Sequence, residues 1–215
     1  MRSQQSGFTL VEIAIVLVII GLLLGGILKG QELINSAKVK NLANDFRVIP
    51  TYIYAYQDKF KALPGDDPSA QTHLPGGAAS DNGNGNGVVD GAWNSTTATD
   101  ESFMFWRHVR LANLAAGPTL LTDPEYVPKN AVSGILGVSS TTAAQIHVTG
   151  MTGTYQVCSK GILGKFAKQL DIQMDDGNTA TGSMRAVLDT AALGTAAVAT
   201  ASIDEAAAYT VCMTF

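Results

Sequence analysis

Asn82, Asn84 and Asn86 alternate with glycine and lead into Gly87, Val88 and Asp90. Oxygen donors thus fall at the first, third and fifth places of a loop, glycine at the sixth, a backbone carbonyl from Val88 at the seventh and the Asp90 carboxylate at the ninth, the donor order of a calcium loop. Asparagines stand where aspartates would add charge, and Trp93 holds the twelfth place, where a bidentate glutamate belongs. Asp66, Asp67 or Asp81 could make up the deficit if the chain folds back. The competing reading is an Asn-Gly turn array without metal. A second residue with chemistry is Glu12, the lone acid in the apolar run Phe8 to Leu28. A carboxylate inside a membrane helix costs about 2.5–3.5 kcal/mol on insertion scales, so it marks a functional position unless it reaches the interface near the polar leader. His73, His108 and His147 lie scattered, with no Cys or acidic neighbour at metal-ligand spacing, and read as core or surface residues. Nucleophile elbows, phosphate loops and dinucleotide fingerprints are missing, which argues against an enzyme.

These residues need elements to hold them. Phe8 to Leu28 is a run of 21 residues, and at about 1.5 Å per residue a helix of that length crosses the roughly 30 Å apolar core of a bilayer. A cleavable secretory signal would have an apolar stretch of about 7 to 15 residues behind a basic leader; here the stretch is longer and Arg2 is the one basic leader residue. Beyond it, Leu42, Phe46, Ile49, Ile53, Tyr56 and Phe60 recur at intervals of three and four, an amphipathic helix that continues the anchor. Pro50 predicts a kink near Asp45 and Phe46, and Leu63 to Pro68, with two prolines and a glycine, ends the helix. Gly21, Gly25, Gly26 and Gly30 permit close helix packing in a membrane or local unwinding.

The remainder reads as a Gly/Asn/Asp-rich loop to about Asn94, a short helix over Phe103–Leu114, a strand over Gln145–Ser159 and a short helix over Gly161–Leu170. A strand over Met184–Leu188, an exposed Ala/Thr-rich stretch and a closing strand over Ala207–Phe215 complete it. Asp175-Asp176-Gly177-Asn178 is a second acidic turn that reads as a hairpin connection, with a calcium site as the competing reading. The sum is α+β, a long helix packed on a C-terminal antiparallel sheet. About 150 residues beyond the helix are enough for one domain with its own core. The net charge of −4 and the lack of a Lys/Arg cluster argue against nucleic acid as the main partner. Cys158 and Cys212 both sit in strand-like strings; an oxidising compartment beyond the anchor favours their pairing, against two buried free thiols.

The string Gly7-Phe8-Thr9-Leu10-Val11-Glu12, followed by the apolar run, resembles the cleavage and methylation site of type IV pilins and type II secretion pseudopilins. The resemblance implies cutting by a prepilin peptidase between Gly7 and Phe8, N-methylation of Phe8, and an assembly contact between Glu12 and the amine of Phe8 in another subunit, a desolvated charge-assisted pair. It also implies a disulfide between Cys158 and Cys212, since one bracketing the C-terminal region is common in these pilins. The implied organisation is a leader over 1–7, a membrane and filament-core helix over 8–28, its amphipathic continuation over 29–62 and a pilin-like globular domain over 63–215. Removing the leader takes away Arg2 and moves the charge from −4 to −5. No cofactor is required; calcium is the candidate ion that the asparagine loop offers. Expected partners are other copies, the prepilin peptidase, an inner-membrane assembly platform and the membrane itself before assembly into a periplasmic or surface filament. The alternatives are a secretion pseudopilin and a membrane-anchored adhesin that does not polymerise.

Overall fold

The computed structural model describes residues 9–142 and 144–215. Helix α1 (Leu10–Phe60) is unbroken and continues through Pro50. The chain divides into two units by contact, Met1–Lys38 and Val39–Phe215. In the first, every residue from Leu10 to Leu28 is exposed, and among the described residues α1 is the one helix long and apolar enough to cross a membrane.

In the second unit the predicted stripe is the buried face: Leu42, Phe46, Ile49, Ile53 and Tyr56 are each at most 1% exposed. Phe46, Ile49 and Ile53 flank Pro50 and pack into one cluster with sheet residues. That burial offsets the backbone hydrogen bond that proline removes from the helix interior.

After α1 come α2 (Ala70–His73), α3 (Glu101–Leu111), β1 (Leu136–Ser140), β2 (Tyr155–Leu163), α4 (Gly164–Met174), β3 (Met184–Leu188) and β4 (Ala208–Thr214). The four strands form an antiparallel sheet in the order β1-β2-β4-β3. The architecture is therefore the expected α+β, a long N-terminal helix followed by an antiparallel sheet. Two strand boundaries differ from expectation. The apolar alternation near Gln145 is not strand: 145–154 forms turns, and β2 starts at Tyr155. Strand β1, in a stretch to which no element is assigned above, pairs along its whole length with β2. Its LGVSS string offers two large apolar side chains, too few for a periodic signal, and partner strands decide such cases.

Alternation sorts the sheet faces. Val138, Tyr155, Val157, Met184, Ala186, Tyr209 and Val211 join the cluster that contains α1. Cys158, Val187 and Cys212 face the other way, under Trp93, Val148 and Met151. One insertion resets the pattern in β2: Ser159 pairs with Val211 but Ile162 with Tyr209, three steps on one strand against two on the other. Gly161, at φ 76°, occupies this bulge, and the shift turns Ile162 onto the α1 face beside Val157.

Candidate assembly site and oxygen-rich loop

The assembly candidate lies at the start of α1. Gly7 and Phe8, the expected cleavage and methylation positions, lie outside the described residues. Thr9 and Glu12 close on each other: the Thr9 amide and hydroxyl donate to Glu12 Oε2 at 2.8 and 2.7 Å, and the Glu12 amide donates to Thr9 Oγ1 at 3.3 Å. This reciprocal pair is a capping box, Thr9 before the first helical residue and Glu12 three positions on. Thr-x-x-Glu before an apolar run is a legible sequence signal that the reading of Glu12 as a purely intersubunit acid overlooked. Along the same helix, a Cβ added at Gly21, Gly25, Gly26 or Gly30 would meet nothing within 4 Å. No contact among the described residues calls for glycine there, although each costs about 1 kcal/mol relative to alanine in a helix interior.

The oxygen-rich loop follows from where α1 stops. Leu63 to Asp67 turns inward and becomes buried, carrying Asp66 and Asp67 to 3% and 0% exposure. Asp66 Oδ1 accepts the amides of Gly85 and Asn86 at 2.5 and 3.1 Å, and Oδ2 that of Gly87 at 2.7 Å. Gly85 and Gly87 take left-handed φ values of 72° and 81° to aim those amides. Glu101, at the start of α3, accepts the Asn84 and Asp90 amides at 2.9 and 3.0 Å. Burial pushes its carboxyl up, against the pull of those two amides, and the charges of Asp66 and Asp90 push the same way.

Among the predicted calcium donors, Asn84 and Asn86 both donate their side-chain amides to Asp90 Oδ2, at 3.1 and 3.0 Å. Their own side-chain oxygens accept the Asn86 and Val88 amides. The structure thus brings Asn84, Asn86, Val88 and Asp90 together, whereas Asn82 Oδ1 turns to the Gln71 amide at 2.9 Å. Asp66 folds back onto the loop, and its two oxygens are taken up by three backbone amides. Glu101 was missed, because nothing in its sequence neighbourhood announces that Asn84, 17 positions away, will reach it.

The histidines take structural places. Asp67 Oδ2 accepts the buried Tyr56 hydroxyl at 2.8 Å and meets His73 Nδ1 at 2.7 Å. Burial raises the Asp67 carboxyl, but the hydrogen bonds from His73, the Ser69 amide and Tyr56 together outweigh it and hold the group below its ordinary value. His108 Nδ1 accepts the Gly65 amide at 2.8 Å, so Nε2 carries the proton it donates to the Asp81 carbonyl at 2.7 Å. Burial pushes this imidazole, and that of His147, downward toward the neutral form. Asp81 in turn accepts Arg107 Nε at 2.9 Å.

Cys158 and Cys212 form a disulfide, joining directly paired positions of β2 and β4. A second acidic group collects at the end of α4, where carboxylate oxygens of Asp171, Asp175 and Asp176 lie within 4.8 Å of one another.

No curated protein and no solved structure matches the chain. Residues 2–28 match the family model described as the prokaryotic N-terminal methylation motif. The N-terminal segment, with Glu12 closing the first turn of an exposed apolar helix, therefore carries the type IV pilin and pseudopilin signal of a prepilin peptidase substrate.

Proposed function

We propose that the chain is the structural subunit of a type IV pilus or pilus-like filament. It enters the inner membrane with its leader cytoplasmic, is cut between Gly7 and Phe8, methylated on Phe8, and handed by an assembly platform to a growing filament. The observation that carries this reading is the methylation motif running into an apolar helix whose side chains are exposed from Leu10 to Leu28 and whose glycines meet nothing among the described residues. Side-by-side packing of copies would bury that surface when it leaves lipid. Small residues at 21, 25, 26 and 30 would let helices approach closely.

Glu12 would then serve twice. In the free subunit it caps its own helix through Thr9; in the filament its carboxylate meets the Phe8 amine of a neighbour and sets register. Glu12→Ala should still insert and be processed, shown by the mass of the mature chain, but should give no filaments in a shear fraction. Normal filaments from that variant would overturn the mechanism. The wild-type shear fraction also distinguishes a surface pilus, which sheds long fibres, from a secretion pseudopilus, which stays in the envelope.

A further inference from the structure

Asn82, Asn84 and Asn86 are each followed by glycine. Asn-Gly is the step at which a backbone amide most easily attacks the preceding asparagine side chain, because glycine has no Cβ to hinder the approach. The fold nevertheless demands these glycines. A Cβ at Gly83 would collide with the Asp66 backbone, so the loop can lie against residues 65–66 only with glycine there. Gly85 and Gly87 hold φ at 72° and 81°, where a larger side chain is strained. The loop is thus built from a sequence prone to deamidation.

The same fold occupies the atoms that would react. In deamidation the glycine amide nitrogen gives up its proton and bonds to asparagine Cγ, and the side-chain nitrogen leaves as ammonia. Water then opens the succinimide to aspartate or isoaspartate. At two of the three steps the nucleophile is bound to one buried carboxylate: the Gly85 amide donates to Asp66 Oδ1 at 2.5 Å and the Gly87 amide to Oδ2 at 2.7 Å. A proton shared with an anion is harder to remove, and the charge-assisted bond fixes the nitrogen in place. The electrophiles are held as well. Asn84 Oδ1 and Asn86 Oδ1 accept the amides of Asn86 and Val88 at 2.9 and 2.7 Å, while both side-chain nitrogens donate to Asp90 Oδ2. The Gly83 amide donates instead to the neutral carbonyl of Asp67 at 2.9 Å.

We infer that Asn84 and Asn86 are latent deamidation sites and that the Asp66 carboxylate is the group that keeps them closed. Conversion of either asparagine replaces an amide that donates to Asp90 with a carboxylate that repels it, and the isoaspartate product also lengthens the backbone. Either product loses the loop's bond to Asp90. The inference concerns the chemistry of this loop and stands whether or not the chain polymerises.

The test holds the full chain in detergent micelles at mildly alkaline pH and follows residues 82–87 by peptide mass spectrometry, with the isoaspartate forms separated. The urea-unfolded chain provides the unprotected rate. Folded wild type should deamidate at Asn84 and Asn86 at least about tenfold more slowly than that, and Asp66→Asn, shown folded by near-ultraviolet circular dichroism, should react roughly 10- to 100-fold faster than wild type, the factor that a hydrogen bond to a charged group represents. Asp90→Asn loosens the asparagine side chains but leaves the glycine amides on Asp66, so it should stay close to the wild-type rate. Hydrogen exchange of wild type tests the same contact without a variant: the Gly85 and Gly87 amides should be protected. The proposal is overturned if folded and unfolded wild type react alike, if folded Asp66→Asn is no faster than wild type, if Asp90→Asn is as fast as Asp66→Asn, or if the two glycine amides exchange at the unfolded rate.

Discussion

At the scale of residues, the chain treats its acids in three ways. Asp66 and Asp67 are buried and surrounded by donors; Glu12 is exposed and occupied by its own helix start. Asp171 is buried with one oxygen undonated, and Asp45 is half-buried beside an apolar helix face. Asp45 lines a cavity with Ile49, Tyr52, Trp106, Arg110 and Leu136, and burial alone raises its carboxyl from 3.8 to about 6. Its folded state therefore binds the proton more tightly than the unfolded chain does. Its stabilising contribution is full below about pH 4 and is lost as pH rises through about 6. Asp45→Asn should match wild type near pH 4 and be the more stable protein at pH 7. Melting curves of the two across that range would check the sign, and a difference that grows toward low pH would contradict it.

At the scale of elements, the disulfide ties β2 to β4 in the middle of the sheet, both cysteines fully buried. The loop it closes spans 54 positions, worth about 4 kcal/mol in the chain-entropy model. Cys158→Ser with Cys212→Ser should lower Tm by roughly 8–16 °C, and calorimetry of the double variant measures it. The elements most visible in the sequence were those with long or strong periodicity. The α1 stripe from Leu42 to Tyr56 and the strands at Met184 and Ala208 emerged at or within a residue of their observed places. Strand β1 and the start of β2 did not, because five residues carry too little pattern and the Gln145 segment finds an isolated bridge, Val148 to Thr195, in place of a partner strand. The bulge at Gly161 was equally hidden, since it exists only relative to β4.

At the scale of the molecule, the two units obey different solvents. Residues 10–28 carry apolar side chains outward along the helix, while Val39–Phe215 buries its own core. The core already includes Val39, Leu42 and Phe46, so a chain starting at Val39 retains everything the sheet packs against. Val39–Phe215 should be soluble without detergent and melt within a few degrees of the full chain. A start at Ile53 removes Phe46 and Ile49 from the core and should not fold, given that one buried Phe→Ala alone costs about 3–5 kcal/mol. Circular dichroism and size-exclusion chromatography of both chains decide this.

The methylation signal, the length of the apolar run, the helical stripe behind it and the number of cysteines available for pairing are legible in the order of residues alone. All are consequences of covalent order and of periods of 3.6 or 2, which neighbours along the chain are sufficient to define. Which acids find donors depends on the folded chain. Asp66 takes its amides from about twenty residues away, Glu101 from across the same loop, and Asp171 is left with a bare oxygen beside two more carboxylates. The charge and ligand preference of a carboxylate depend on what surrounds it in space, and that set is assembled by contacts distant in the chain.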